Sequence, residues 1–327
     1  MKMTRRLVMA GLLAAAPAWA LAQQQAASNY PNRAVRIVVP FTPGGTTDIL
    51  GRAIAQELSK SLGQSFVVEN TPGAGGSIGA DKVAKAAPDG YTLMMGHIGT
   101  LAVNPSLYPK LPYNPVKDFA PVAGFATFVN AFAVSGANPA KTFNEYVNWV
   151  KAQQGKGAVG IPAPASTPEF LVKVMGEKFK LDLVAAPYRG SAPMMADMLG
   201  NQIAAGVGSV PDFIENHKAG KVRVLAVLGG ARQAALPDVP TFTEIGLAGL
   251  EDMPYYGVFA PAGTPKGFID HFSAAVAKVI ALPEVRNQLT QMGLTVGHMS
   301  PDQLARRERA YAQVWTRIVR ESGFQPQ

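Results

Sequence analysis

The chain has 327 residues, 48% hydrophobic and 16% charged, with no cysteine and a formal net charge of +8. That balance fits well-buried α/β units and argues against disorder. The missing thiols exclude disulfides, thiolate metal sites, a cysteine nucleophile and lipid attachment through cysteine.

The first residues read as a secretory signal over 1–22. Lys2, Arg5 and Arg6 form a basic head, Leu7 to Ala18 is an apolar run, and Ala20-Leu21-Ala22 offers a small-residue exit before Gln23. The run is shorter than the roughly 20 residues that span a bilayer, and the Arg5-Arg6 pair carries little weight as a twin-arginine signal. An exported chain without a lipid anchor or a later apolar span is expected to lie free in the periplasm. Without Lys2, Arg5 and Arg6 the charge falls from +8 to +5, and the excess is spread out. The densest patch, Arg306, Arg307 and Arg309 around Glu308, reads as a solvated helix face. No nucleic-acid partner is implied, and a mild positive field favours anionic solutes weakly.

The remaining stretch of about 300 residues suits two domains. Val35 to Val39 is a buried strand ended by Pro40 and a Pro-Gly-Gly turn. A helix follows from Asp48 to Leu62, with Ile49, Leu50, Ala53, Ile54, Leu58 and Leu62 on helical spacing and Gly63 as its stop. Strands at Phe66 to Glu69 and Tyr91 to Met95 flank a helix from Ile78 to Ala86. Later units repeat the theme, with strands at Ala158 to Ile161, Leu183 to Ala186, Ile203 to Val207 and Val222 to Val227. Helices between and after them run over Phe143 to Gln153, Glu169 to Lys178, Ala192 to Leu199 and Asp212 to Lys218. The C-terminus reads as all-helical, over Gly267 to Ala281, Glu284 to Met292 and Asp302 to Glu321. Repeated βα units of this kind predict mostly parallel sheets covered on both faces.

Three glycine loops follow strands. The first, Thr42-Pro43-Gly44-Gly45-Thr46-Thr47-Asp48, runs straight into a helix. The second is Asn70-Thr71-Pro72-Gly73-Ala74-Gly75-Gly76-Ser77 and the third Gly96-His97-Ile98-Gly99-Thr100. Glycines let N–H groups point into one concavity, and a helix start adds unpaired donors and partial positive charge, a ready site for a carboxylate or phosphate. One such loop is as often an ordinary βα turn. Three at the carboxyl ends of neighbouring strands should line one crevice. None is a Walker loop or a dinucleotide fingerprint. There is no G-x-S-x-G or H-E-x-x-H, and His97, His217, His271 and His298 are scattered, so the chain reads as a non-enzyme without metal or cofactor.

These loops, in this order, resemble the Bug-type (TctC-type) substrate-binding proteins of tripartite tricarboxylate transporters. The likeness runs from Tyr30-Pro31-Asn32-Arg33 through Ala87-Pro88-Asp89-Gly90-Tyr91 and Tyr113-Asn114-Pro115 to Pro187-Tyr188-Arg189-Gly190-Ser191-Ala192-Pro193. It continues in Leu236-Pro237-Asp238-Val239-Pro240-Thr241 and Phe259-Ala260-Pro261-Ala262-Gly263-Thr264-Pro265. The resemblance implies a Venus-flytrap fold of the type II periplasmic class, with 23–130 plus 256–327 as one lobe and 131–255 as the other. It also implies a small organic acid held by backbone groups, waters and hydroxyls, handed on by a monomer to membrane components of the transporter. A sensor docking on a membrane histidine kinase would share the fold.

Expected ligand contacts are Thr42, Gly44, Gly45, Thr46, Thr47, Asp48, Gly75, Gly76, Ser77, His97 and Thr100 from the loops, with Asp48 organising the helix start rather than serving catalysis. The second half adds Ser166, Thr167, Tyr188, Arg189, Ser209 and Tyr256, Arg189 either meeting a second ligand carboxylate or capping a turn. Tyr255 is a further aromatic candidate, and core packing is an equal alternative for it and for Tyr256. The chain departs from the family pattern where Val207-Gly208-Ser209 replaces an acidic stretch and Ala204 another acid. The distal part of the pocket is therefore expected to be roomier and less acidic than is usual in the family, for a ligand whose far end bears no ammonium group: an aromatic carboxylate, a larger organic acid or a dicarboxylate.

Overall fold

The computed structural model describes residues 30–97, 99–107, 110–154, 156–164, 166–248 and 254–321; the signal reading of residues 1–22 lies outside the described residues. The chain folds around two sheets, each with its own apolar core. Strands β1 (Val35–Val39), β2 (Phe66–Asn70), β3 (Thr92–His97), β4 (Phe119–Thr127), β10 (Tyr255–Pro261) and β11 (Thr295–Met299) form the first, in the order β11-β4-β10-β3-β1-β2. Strands β5 (Asn130–Ser135), β6 (Lys156–Ile161), β7 (Asp182–Pro187), β8 (Ala205–Ser209) and β9 (Val222–Val227) form the second, ordered β7-β6-β8-β5-β9.

Both sheets are mixed, which corrects the expectation of mostly parallel sheets. Strand β1 pairs in parallel with β2 and β3, but β10 runs antiparallel to both β3 and β4, and β11 antiparallel to β4. In the second sheet β6 is parallel to β7 and β8, while β5 is antiparallel to β8 and β9. The cause is the path of the chain. It leaves the first sheet after β4, builds the second, and re-enters with β10 from the opposite direction. Strand β11 interrupts the C-terminal region expected to be all-helical. It is a mostly exposed edge strand whose sequence Thr-Val-Gly-His-Met lacks a buried apolar alternation.

Helices cover the sheets. In the first lobe, α1 (Thr46–Leu62) buries Leu50, Ile54 and Leu58, each completely, and ends where Gly63 takes φ 67° and donates its N–H to Ser59 O. Burying each such side chain contributes about 1.5–3 kcal/mol. Helix α2 is Ser77–Ala84, and a π turn at Gly99–Val103 leads into the single turn α3 (Asn104–Leu107). The second lobe carries α4 (Phe143–Ala152), α5 (Thr167–Phe179), α6 (Ser191–Leu199) and α7 (Val210–Lys218). Helices α8 (Lys266–Ala281), α9 (Pro283–Gln291) and α10 (Pro301–Glu321) return to the first lobe. Helix α10 buries Leu304, Tyr311, Trp315 and Val319 along one face, and Trp315 meets Phe170 of α5 at right angles with ring centroids 5.4 Å apart. Tyr255 belongs to this apolar cluster, so its core-packing alternative holds.

A cleft where four helix starts meet

The cleft between the lobes encloses a cavity of about 60 Å³. At about 10–15 Å³ for one water, that is room for a handful of waters. Its wall includes the residues that precede four helices from both lobes: Gly45 before α1, Ser166 before α5, Gly190 before α6 and Ser209 before α7. The first-turn N–H groups of a helix have no intrahelical acceptor and carry roughly half a positive charge between them. At Gly45 and Gly190 no side chain caps those donors. Among the described residues on this wall there is no lysine or arginine; the one ionisable acid is Asp212.

The first lobe supplies Thr42, Gly45, Thr46, Thr47 and Gly75, with Phe41, Gly99 and Asn104 beside them. The loop before α2 is wound tightly: Gly73, Ala74, Gly75 and Gly76 all take positive φ, which three glycines adopt without strain. Asn104 Nδ2 pins it by donating to Gly75 O and to Ser77 Oγ, at 3.2 and 3.3 Å. The second lobe supplies Ser166 and Ser209, with Pro162, Ala163, Ser191 and Asp212; the crossing segment adds Phe128 and Asn130. Tyr256 closes the floor. It stacks on Phe128 with centroids 4.6 Å apart, and its hydroxyl lies within bonding reach of Ser209 and Thr47. Burial, followed by the nearby Asp212 charge, keeps that phenol protonated far above its ordinary range.

The other expected contacts sit elsewhere. Asp48 turns away from the cavity: its carboxylate accepts from Gly44 N (2.9 Å), Arg52 Nε (3.0 Å) and Asn70 Nδ2 (2.9 Å). Burial alone would raise its pKa, but those bonds outweigh it and hold the carboxyl below the usual carboxylate range. Gly44 stands behind Gly45, opposite Ala192. Ser77 is occupied by Asn104. Thr100 and Thr167 are buried behind the wall, and neither hydroxyl, like that of Thr42, has a partner among the described residues. Tyr188 donates to Asp197 Oδ2 at 2.7 Å, and burial and then Asp197 push its hydroxyl up to about 12. With Arg189 and Gly76 it lines a separate groove at the mouth of the cleft, of about 400 Å³. The side chain of His97 lies outside the described residues; its backbone pairs with Tyr256.

Asp212 adds to the wall an acid that was not among the expected contacts. The Val-Gly-Ser stretch does lack acids, but Ser209-Val210-Pro211-Asp212 is the start of α7, and the acid at its third position bends back into the cavity. The Ser-x-x-Asp spacing is a capping signal and was the available clue. Asn130, a polar residue inside an apolar run, was another.

Two α/β lobes closing on a cleft of helix starts define a solute-binding protein of the Venus-flytrap kind. The family model described as "Tripartite tricarboxylate transporter family receptor" matches residues 50–324, and the chain belongs to that family. The structure of the periplasmic binding protein BugD is 31% identical and superposes with a TM-score of 0.86, covering 91% of this chain and 100% of that one. Rpa4515 of R. palustris, solved with adipate, is 33% identical with a TM-score of 0.87 over the same shares of both chains. MatC (Rpa3494) of Rhodopseudomonas palustris, solved with bound malate, is 32% identical with a TM-score of 0.82, covering 89% of this chain and 100% of that one. No helix among the described residues is long and apolar enough to cross a membrane.

Proposed function

We propose that this protein captures a small carboxylate-bearing metabolite in the periplasm and delivers it to the membrane components of a tripartite tricarboxylate-type transporter. The carrying observation is the convergence of four helix starts on a cavity whose described wall has no basic side chain. Oriented peptide N–H groups attract an anion without the desolvation cost of a buried arginine. In this reading the ligand carboxylate sits at the uncapped start of α1, against Thr46 and Thr47, with the hydroxyls of Thr42, Ser166, Ser209 and Tyr256 around it. A compact acid fits the inner cavity, and a longer one reaches the mouth groove and Arg189. The lobes divide as 23–130 with 256–327, and 131–255, a partition that sheet membership supports. Export through a signal at residues 1–22 and action as a monomer complete the proposal. The acids seen in Rpa4515 and MatC favour dicarboxylates as the first class to test.

A thermal-shift screen of mono-, di- and tricarboxylates, followed by calorimetry, tests this. A ligand at a hundredfold excess over its dissociation constant stabilises the fold by about 2.7 kcal/mol, so a cognate acid raises the melting temperature clearly. A screen in which neutral or cationic solutes shift it and no acid does would refute the reading.

A further inference from the structure

Asp212 is held in place by one oxygen and turns the other across the cleft. Its Oδ2 accepts from Ser209 N at 2.8 Å and Ser209 Oγ at 2.7 Å. The same oxygen rests over Gly208, where a Cβ would lie 3.0 Å from it, so the carboxylate is packed as well as bonded. Its other oxygen, Oδ1, points across the cleft and accepts from Thr46 Oγ1, in the first turn of α1, at 2.5 Å. A carboxylate has no proton to give. Whatever replaces Thr46 at Oδ1 must therefore donate, and a second carboxylate placed there meets like charge.

We propose that Asp212 is a specificity-determining residue that selects, among acids, those carrying a hydroxyl or ammonium group next to the anchored carboxylate. This rests on the carboxylate reading of the cleft and narrows it. The helix starts take the carboxylate, Asp212 Oδ1 takes the adjoining donor, and an acid lacking that donor leaves Oδ1 to Thr46 and gains nothing from the second lobe at this point.

The test is calorimetry on matched triplets: propionate, lactate and alanine; succinate, malate and aspartate; glutarate, 2-hydroxyglutarate and glutamate; adipate, 2-hydroxyadipate and 2-aminoadipate. In the triplet that binds best, the donor-bearing acid is expected to bind at least tenfold more tightly than the plain one. The Asp212→Asn variant, checked for folding by circular dichroism, is expected to bring the ratio within about threefold, partly by improving the plain acid. Thr46→Val leaves Asp212 intact and removes its competing donor, so it is expected to keep or enlarge the preference; it carries the test if Asp212→Asn does not fold. Equal binding of plain and substituted acids by the natural protein, an unchanged ratio in Asp212→Asn, or loss of the preference in Thr46→Val would each overturn the role of Asp212 while leaving carboxylate binding intact. Binding of no acid in any triplet would remove both.

Discussion

Gly45 and Ser191 face each other across the cleft so closely that a methyl group on Gly45 would lie 2.9 Å from Ser191 Oγ. Gly190 stands in the same relation to Thr42: a side chain there would collide with the Thr42 hydroxyl. The lobes therefore close glycine against hydroxyl, twice. Gly45 has an ordinary extended backbone, φ −81°, so a side chain there strains nothing locally. Gly45→Val is expected to leave the melting temperature of the free protein within a few degrees. Ligand binding should weaken at least tenfold, because the branched side chain holds the lobes apart. Calorimetry with the best acid checks the second part and thermal denaturation the first.

Asp48 fixes the turn that aims α1 at the cavity. Its buried carboxylate bonds Gly44 N, Arg52 and Asn70, and bonds to a charged acceptor are worth about 1.5–3 kcal/mol. Asp48→Asn is expected to cost about 1–3 kcal/mol at pH 7. Because the folded pKa lies below the unfolded one, this contribution is present above pH 3.8 and is lost as the pH falls through the folded value. Urea denaturation of both proteins at pH 7 and near pH 3 should show the gap narrowing.

Glu308 behaves in the opposite sense. Burial on α10 pushes its carboxyl up to about 7, with Arg309 pulling weakly the other way. The folded state holds this proton more tightly than the unfolded chain, so stability declines as the pH rises from about 4.5 through about 7. Glu308→Gln removes the cost of ionising there, on the order of 2–3 kcal/mol at pH 8. The variant should melt several degrees above the natural protein at pH 8 and close to it at pH 4.5.

Tyr256 links the lobes through its hydroxyl, which reaches Thr47 on one side and Ser209 on the other. Tyr256→Phe keeps the stack on Phe128 and removes one polar group from a buried network. It is expected to cost about 1 kcal/mol in stability and several-fold in ligand affinity. Binding unchanged by the substitution would show that the hydroxyl serves the fold alone.

Much of this was legible in the sequence because strand-to-helix turns announce themselves. Gly45-Thr46-Thr47 and the Gly73–Gly76 loop are marked by glycines at the ends of apolar strands. What the sequence could not show is which side of each turn faces inward once two lobes meet. Ser77 and Tyr188 occupy the right loops, yet their hydroxyls are taken by Asn104 and Asp197. Asn130, Ser191 and Asp212 enter the wall from the second lobe or the crossing segment, and they meet the first lobe across long sequence separations, as Thr46 and Asp212 do over 166 residues. Strand β11 escaped notice because an exposed edge strand needs no apolar alternation.

A crystal structure with the tightest-binding acid tests the central claim most directly. A carboxylate oxygen should lie within hydrogen-bonding distance of the backbone N–H groups of Thr46 and Thr47, with the lobes closed around it. An acid bound outside the cleft, or held only by the guanidinium of Arg189 at its mouth, would contradict the account.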